Sequence, residues 1–99
     1  MIDKLTLVRR VVVEGSVQGV GYREFTRRAA SRLNVSGWVR NRSDGAVEAL
    51  IRGSPAAVEA LIAEMRQGPR FAIVESLSVI EHDEADGEDD RSFMIRSTR

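Results

Sequence analysis

Apolar residues recur along this chain at two spacings, and the alternation between them divides it into segments. Residues 5–14 close on Val11-Val12-Val13, a β-branched run bounded by Gly15, and read as a strand. Residues 22–33 change period: Tyr22, Phe25, Ala29 and Leu33 fall on one face of a helix, with Arg27, Arg28 and Arg32 on the wet side. Alternation returns over residues 35–41. Val35, Gly37, Val39 and Asn41 share one face, and Ser36, Trp38 and Arg40 the other. Asp44-Gly45 marks a hairpin turn over residues 42–45. Residues 46–52 are then the partner strand, with Val47, Ala49 and Ile51 toward the core. Ser54-Pro55 opens a second helix, the serine as N-cap and the proline at the first helical position. Its apolar stripe is Val58, Leu61, Ile62 and Met65, and Gly68-Pro69 ends it. Residues 72–81 read as a fourth strand through Val74, Leu77 and Val79, and residues 92–96 as a last one with Phe93 and Ile95 inward. Residues 1–6 are expected to fray.

The resulting order, β-α-β-β-α-β, predicts an α+β, ferredoxin-like sandwich: one antiparallel sheet with two helices on one face, and a short extra C-terminal strand segment. Ninety-nine residues, 42% of them hydrophobic, suffice for one cored domain over residues 1–99. Two features bear on setting. No run reaches the length of a membrane helix, and Met1-Ile2-Asp3-Lys4 lacks a signal-peptide pattern. The chain has no cysteine, which removes disulfides and thiolate–zinc sites. Together they predict a cytoplasmic protein that meets no membrane. Net charge is zero, but residues 1–52 carry 10 Lys/Arg against 5 Asp/Glu, and residues 53–99 carry the reverse. Most of the acid lies in residues 81–90, seven of ten, so residues 82–91 are expected to form a mobile acidic loop. Its spacing matches no calcium loop.

The basic half contains Gly15-Ser16-Val17-Gln18-Gly19-Val20-Gly21-Tyr22-Arg23, between the first strand and the first helix. Glycines permit positive φ and close approach of a ligand to the backbone. A strand that ends in such a loop and opens a helix points several amides at one spot, where the helix dipole is also positive. Arg23, in the first turn, is disfavoured by that dipole, and a bound anion would remove the conflict. The spacing fits neither the dinucleotide fingerprint nor the P-loop.

As a whole string, G-S-V-Q-G-V-G-Y-R resembles the signature of the acylphosphatase family, and Gly37-Trp38-Val39-Arg40-Asn41 resembles its second motif. Asp44-Gly45 and Gly68-Pro69 fall where that family has a turn and a helix end, so the resemblance spans residues 7–96. It implies that the amides of Ser16, Val17, Gln18, Gly19, Val20, Gly21 and Tyr22 bind a phosphate. It implies further that Arg23 grips the phosphate oxygens and that Asn41 orients the attacking water. The partners it implies are a small-molecule acyl phosphate and, in the loop, inorganic phosphate or another anion. No metal or cofactor is implied, and a monomer is expected. Three positions depart from the pattern: Ser16, often basic in the family, and Arg70 and Ile73, where it shows a proline and a basic residue.

The residues themselves point to the same chemistry. His82 is the sole histidine and lies by the acidic stretch, far in sequence from the glycines, and no base is evident beside Ser16. Such a site holds phosphate but does little proton transfer. An acyl phosphate suits it, because its leaving carboxylate, of pKa roughly 4, departs without protonation. The competing expectation is a non-catalytic ferredoxin-like domain that binds anions or RNA. Only Trp38 would be available to stack a base, aromatic content is 5%, and no aromatic residues interleave with the arginines.

Overall fold

The computed structural model describes residues 6–81 and 92–99. Of the fraying expected over residues 1–6, all but residue 6 lies outside the described residues, as do the mobile loop expected over residues 82–91 and His82. The elements are β1 (Leu7–Ser16), α1 (Tyr22–Leu33), β2 (Ser36–Asn41), β3 (Val47–Gly53), α2 (Pro55–Gln67), β4 (Ile73–Glu81) and β5 (Phe93–Ile95). The sheet order is β4-β1-β3-β2-β5. Neighbours are antiparallel except β2 and β5, which run parallel. The ferredoxin-like arrangement is therefore present, with β5 as the short added strand.

Both helices close over one face of the sheet. Val11, Val13, Val39, Ala49 and Ile51 rise from the strands to meet Tyr22, Ala29 and Ala30 of α1 and Val58, Leu61 and Met65 of α2. Ser54 caps α2 as expected, its hydroxyl accepting from the Ala57 amide at 3.2 Å. The stripe on α1 differs from the expected one. Phe25 and Leu33 are half-buried, and Thr26 and Ala30 are fully inside. Threonine can stand there because its hydroxyl donates to the Tyr22 carbonyl at 2.9 Å, so no polar group is orphaned. Tyr22 then locks the two helices together, its hydroxyl donating to the Met65 carbonyl at 2.7 Å.

Two details set up the end of the sheet where the glycines lie. β1 runs on to Ser16, past the expected end at Glu14, through a bulge between Glu14 and Gly15. Gly15 sits there at φ 132°, where a Cβ would come within 2.2 Å of the Ile73 carbonyl oxygen. At the other edge, Phe93 is buried, whereas Ile95, expected inward, is 39% exposed. The sheet's open face carries an ion network instead of apolar cover. Glu48 is only 5% exposed, and Arg10 Nε and Arg40 Nε donate to its carboxylate at 2.6 and 3.1 Å.

Candidate active site

Residues 17–21 bend sharply between β1 and α1, and the glycines make that bend. Gly19 has φ 76° and Gly21 φ 82°, left-handed conformations that cost any other side chain. Gly21 is the N-cap of α1, and no side chain caps that end. The first helical bond runs from the Phe25 amide to the Gly21 carbonyl, at 3.0 Å. The amides of Gly21, Tyr22, Arg23 and Glu24 therefore find no acceptor in the helix. Those of Gln18, Gly19 and Val20 donate to no other described residue either.

Several of these residues, Gly19, Gly21, Tyr22, Arg23 and Glu24, line a cavity of about 200 Å³ together with Val17 and Ile95. Among the described residues the Arg23 guanidinium has no hydrogen bond or ion pair. The adjacent carboxylate is committed elsewhere. Arg27 Nε and Nη2 donate to Glu24 at 2.8 and 2.6 Å, and Arg28 Nε at 3.0 Å. The Arg27 bonds, followed by that of Arg28, hold the Glu24 carboxyl down at about 2. Glu24 thus stays ionised, complements the dipole, and leaves Arg23 unpartnered beside the cavity.

Gln18 does something the sequence did not suggest. Its side chain turns away from the cavity and donates from Nε2 to the carbonyls of Arg42 and Ala46, at 2.8 and 2.9 Å. One side chain thereby fastens the glycine bend to the β2–β3 hairpin. Asn41, the last residue of β2, is next to that fastening point. Asn41 does not line the cavity, but its Oδ1 is buried with no hydrogen-bond partner. A buried acceptor left unmatched costs about 1–3 kcal/mol, so any donor that reaches Oδ1 is favoured there.

Of the residues expected in the site, Val17, Gly19, Gly21, Tyr22 and Arg23 surround one cavity. Ser16 instead pairs with Ile73 in the sheet. Val20 lies in a separate outer depression with Phe25, Ala29 and Pro69. The sequence reading missed Glu24 and Ile95 as cavity residues. The signal for Glu24 was its spacing, three and four residues before Arg27 and Arg28. Among the described residues no cluster of His, Asp or Glu could hold a metal ion. No helix among them is long and apolar enough to cross a membrane. Base stacking is poorly served, because the guanidiniums of Arg40 and Arg96 already lie against the Trp38 ring, at 4.5 and 5.3 Å.

The acylphosphatase family model matches residues 9–95. An acylphosphatase of Nitrobacter winogradskyi is 54% identical over 71 residues, which is 72% of each chain. The crystal structure of an acylphosphatase from Bacillus subtilis aligns with a TM-score of 0.85 at 37% identity, covering 91% of this chain and 98% of that one. An acylphosphatase from Coxiella burnetii aligns at 0.87 and 34%, covering 97% and 100%. With both signature motifs in place and the match running almost end to end, the chain belongs to the acylphosphatase family.

Proposed function

We propose that this chain hydrolyses the carboxyl–phosphate bond of acyl phosphates, releasing a carboxylate and inorganic phosphate. The observation that carries the reading is the bare N-terminus of α1, where unbonded amides and an unpaired guanidinium face one small cavity. Phosphoryl transfer spreads negative charge over the equatorial oxygens, and donors fixed in advance stabilise that charge without reorganising. The amides of the glycine bend and the first helical turn take the oxygens. Arg23 adds paired N–H donors in a planar fork.

Asn41 Oδ1 accepts a hydrogen bond from a water and aims its lone pair at phosphorus, opposite the leaving oxygen. The water oxygen bonds to phosphorus as the bond to the acyl oxygen breaks. The carboxylate departs as the anion, and the water's proton passes to a phosphate oxygen. No residue need act as an acid, and no metal or cofactor enters the step. Loop occupancy by product phosphate, a monomeric state and a cytoplasmic setting belong to the same reading. The cysteine-free sequence supports the last of these.

The test is hydrolysis of benzoyl phosphate in the presence of EDTA. Arg23→Gln and Asn41→Ala should each lower kcat/KM by about a hundredfold or more, with unchanged circular dichroism. Activity retained in both variants would refute the assignment, as would loss of wild-type turnover on chelation.

A further inference from the structure

We propose that Ile95 is a specificity-determining residue: it gives the acyl group an apolar wall, so that acyl phosphates with apolar acyl groups are the preferred substrates. The proposal rests on the hydrolase reading above and adds to it what lies beyond the phosphate. Ile95 pairs with Val39 across the parallel β2–β5 ladder, one step from Phe93 opposite Gly37. Residues paired in a ladder share a face, and side chains alternate. Ile95 therefore projects from the same face as Val39, Phe93 and Asn41, the face that the helices cover.

Its neighbours on that face are buried, Val39 fully and Phe93 to 8% exposure, yet Ile95 keeps 39% of its surface. The reason is positional. α1 begins at Tyr22, and the cavity lies at its N-terminus, so Ile95 faces the cavity rather than a helix. An isoleucine can offer nothing to phosphate oxygens, whose donors come from the bend and Arg23. Of the apolar side chains that line the cavity, Val17 and Tyr22 are each 1% exposed and Ile95 39%, so the apolar side-chain surface open to a ligand there is that of Ile95. An acyl chain lying there covers the exposed aliphatic surface and is itself removed from water, and the gain grows with the apolar area covered.

The experiment measures kcat/KM for acetyl, butyryl, benzoyl and succinyl phosphate with the wild-type chain, Ile95→Val, Ile95→Ala and Ile95→Lys. In Ile95→Ala the benzoyl-to-acetyl ratio of kcat/KM should fall about fivefold, carried mainly by KM. In Ile95→Val it should fall about twofold, which keeps the test sound if the alanine variant is poorly folded. In Ile95→Lys the succinyl-to-butyryl ratio should rise about tenfold, because an ammonium would now face the second carboxylate. Ratios within 1.5-fold of wild type in all three variants, with acyl phosphates still hydrolysed, would overturn the role of Ile95 alone. No turnover of any acyl phosphate by the wild-type chain would overturn the hydrolase reading beneath it.

Discussion

Gln18→Leu asks whether the glycine bend must be tied to the hairpin. The change shortens the side chain by one atom and removes both N–H donors of the amide. Two bonds are lost, to the carbonyls of Arg42 and Ala46. Neither carbonyl is left bare, because the Gly45 amide still donates to Arg42 O at 3.1 Å and the Arg42 amide to Ala46 O at 2.8 Å. The stability cost is therefore that of two ordinary hydrogen bonds, about 1–3 kcal/mol in total, without the full penalty of a buried orphan. For a domain of this size that lowers Tm by about 10 °C. The kinetic cost should be larger in proportion. In the proposed mechanism the bend holds the phosphate and Asn41, at the hairpin, holds the water, so untying them would loosen the in-line geometry. A displacement near 1 Å costs about a hundredfold. We expect kcat on benzoyl phosphate to fall by about ten- to a hundredfold at a temperature well below the new Tm, with phosphate inhibition little changed. A folded variant with kcat within twofold of wild type would show that the tie serves stability alone.

Other outcomes follow from the same geometry. Inorganic phosphate at about a hundred times its Kd should stabilise the chain by about 2.7 kcal/mol, and Arg23→Gln should abolish most of that gain, as read by thermal shift. Gly37→Ala should prevent folding at ordinary temperature, because φ is 133° there and a Cβ would lie 1.8 Å from the Leu50 carbonyl oxygen; a cooperative melt within a few degrees of wild type would contradict this. Glu48→Gln should cost about 1–3 kcal/mol at pH 7 in urea titrations. Burial alone would raise the Glu48 carboxyl, but its bonds from Arg10 and Arg40 outweigh burial and lower it below 4.5. A lowered folded-state value means that the stabilisation is complete above about pH 4.5 and drains away as pH falls through the folded-state value, so the gap between wild type and variant should close only in acid.

How much of this was legible in the sequence depended on whether one residue's neighbours along the chain were enough to decide its fate. The hairpin at Asp44-Gly45 and the Ser54-Pro55 helix start were readable because turn and cap chemistry is local, and both stand where expected. The inner face of α1 was not. Counting apolar residues selected Phe25, whereas the core took Thr26, whose hydroxyl is satisfied within its own helix. Ile95 was assigned inward by alternation, and its face is the inner one. Its exposure depends on where α1 begins, which no pattern within residues 92–96 contains.

The site divides along the same line. Left-handed glycines and the arginine that follows them were visible as a string, because a bend and a helix start are contiguous. What joins that string to Asn41 is a contact across 24 positions from Gln18 to Arg42, and a glutamine in a phosphate-loop motif gives no sign that its side chain faces away. Glu24 adds a second constraint of this kind. Any carboxylate in the first turn of α1 is favoured by the dipole, yet one free to swing onto Arg23 would compete with the substrate. Arg27 and Arg28 prevent that by holding it from the next turn. The three arginines of α1 nearest the cavity therefore divide into one left for an anion and two that keep it so. Replacing Arg27 and Arg28 together with glutamine should release Glu24 onto Arg23 and raise KM for acyl phosphates by about tenfold with kcat less affected, and a KM that stays put would mean that Glu24 never reaches the guanidinium.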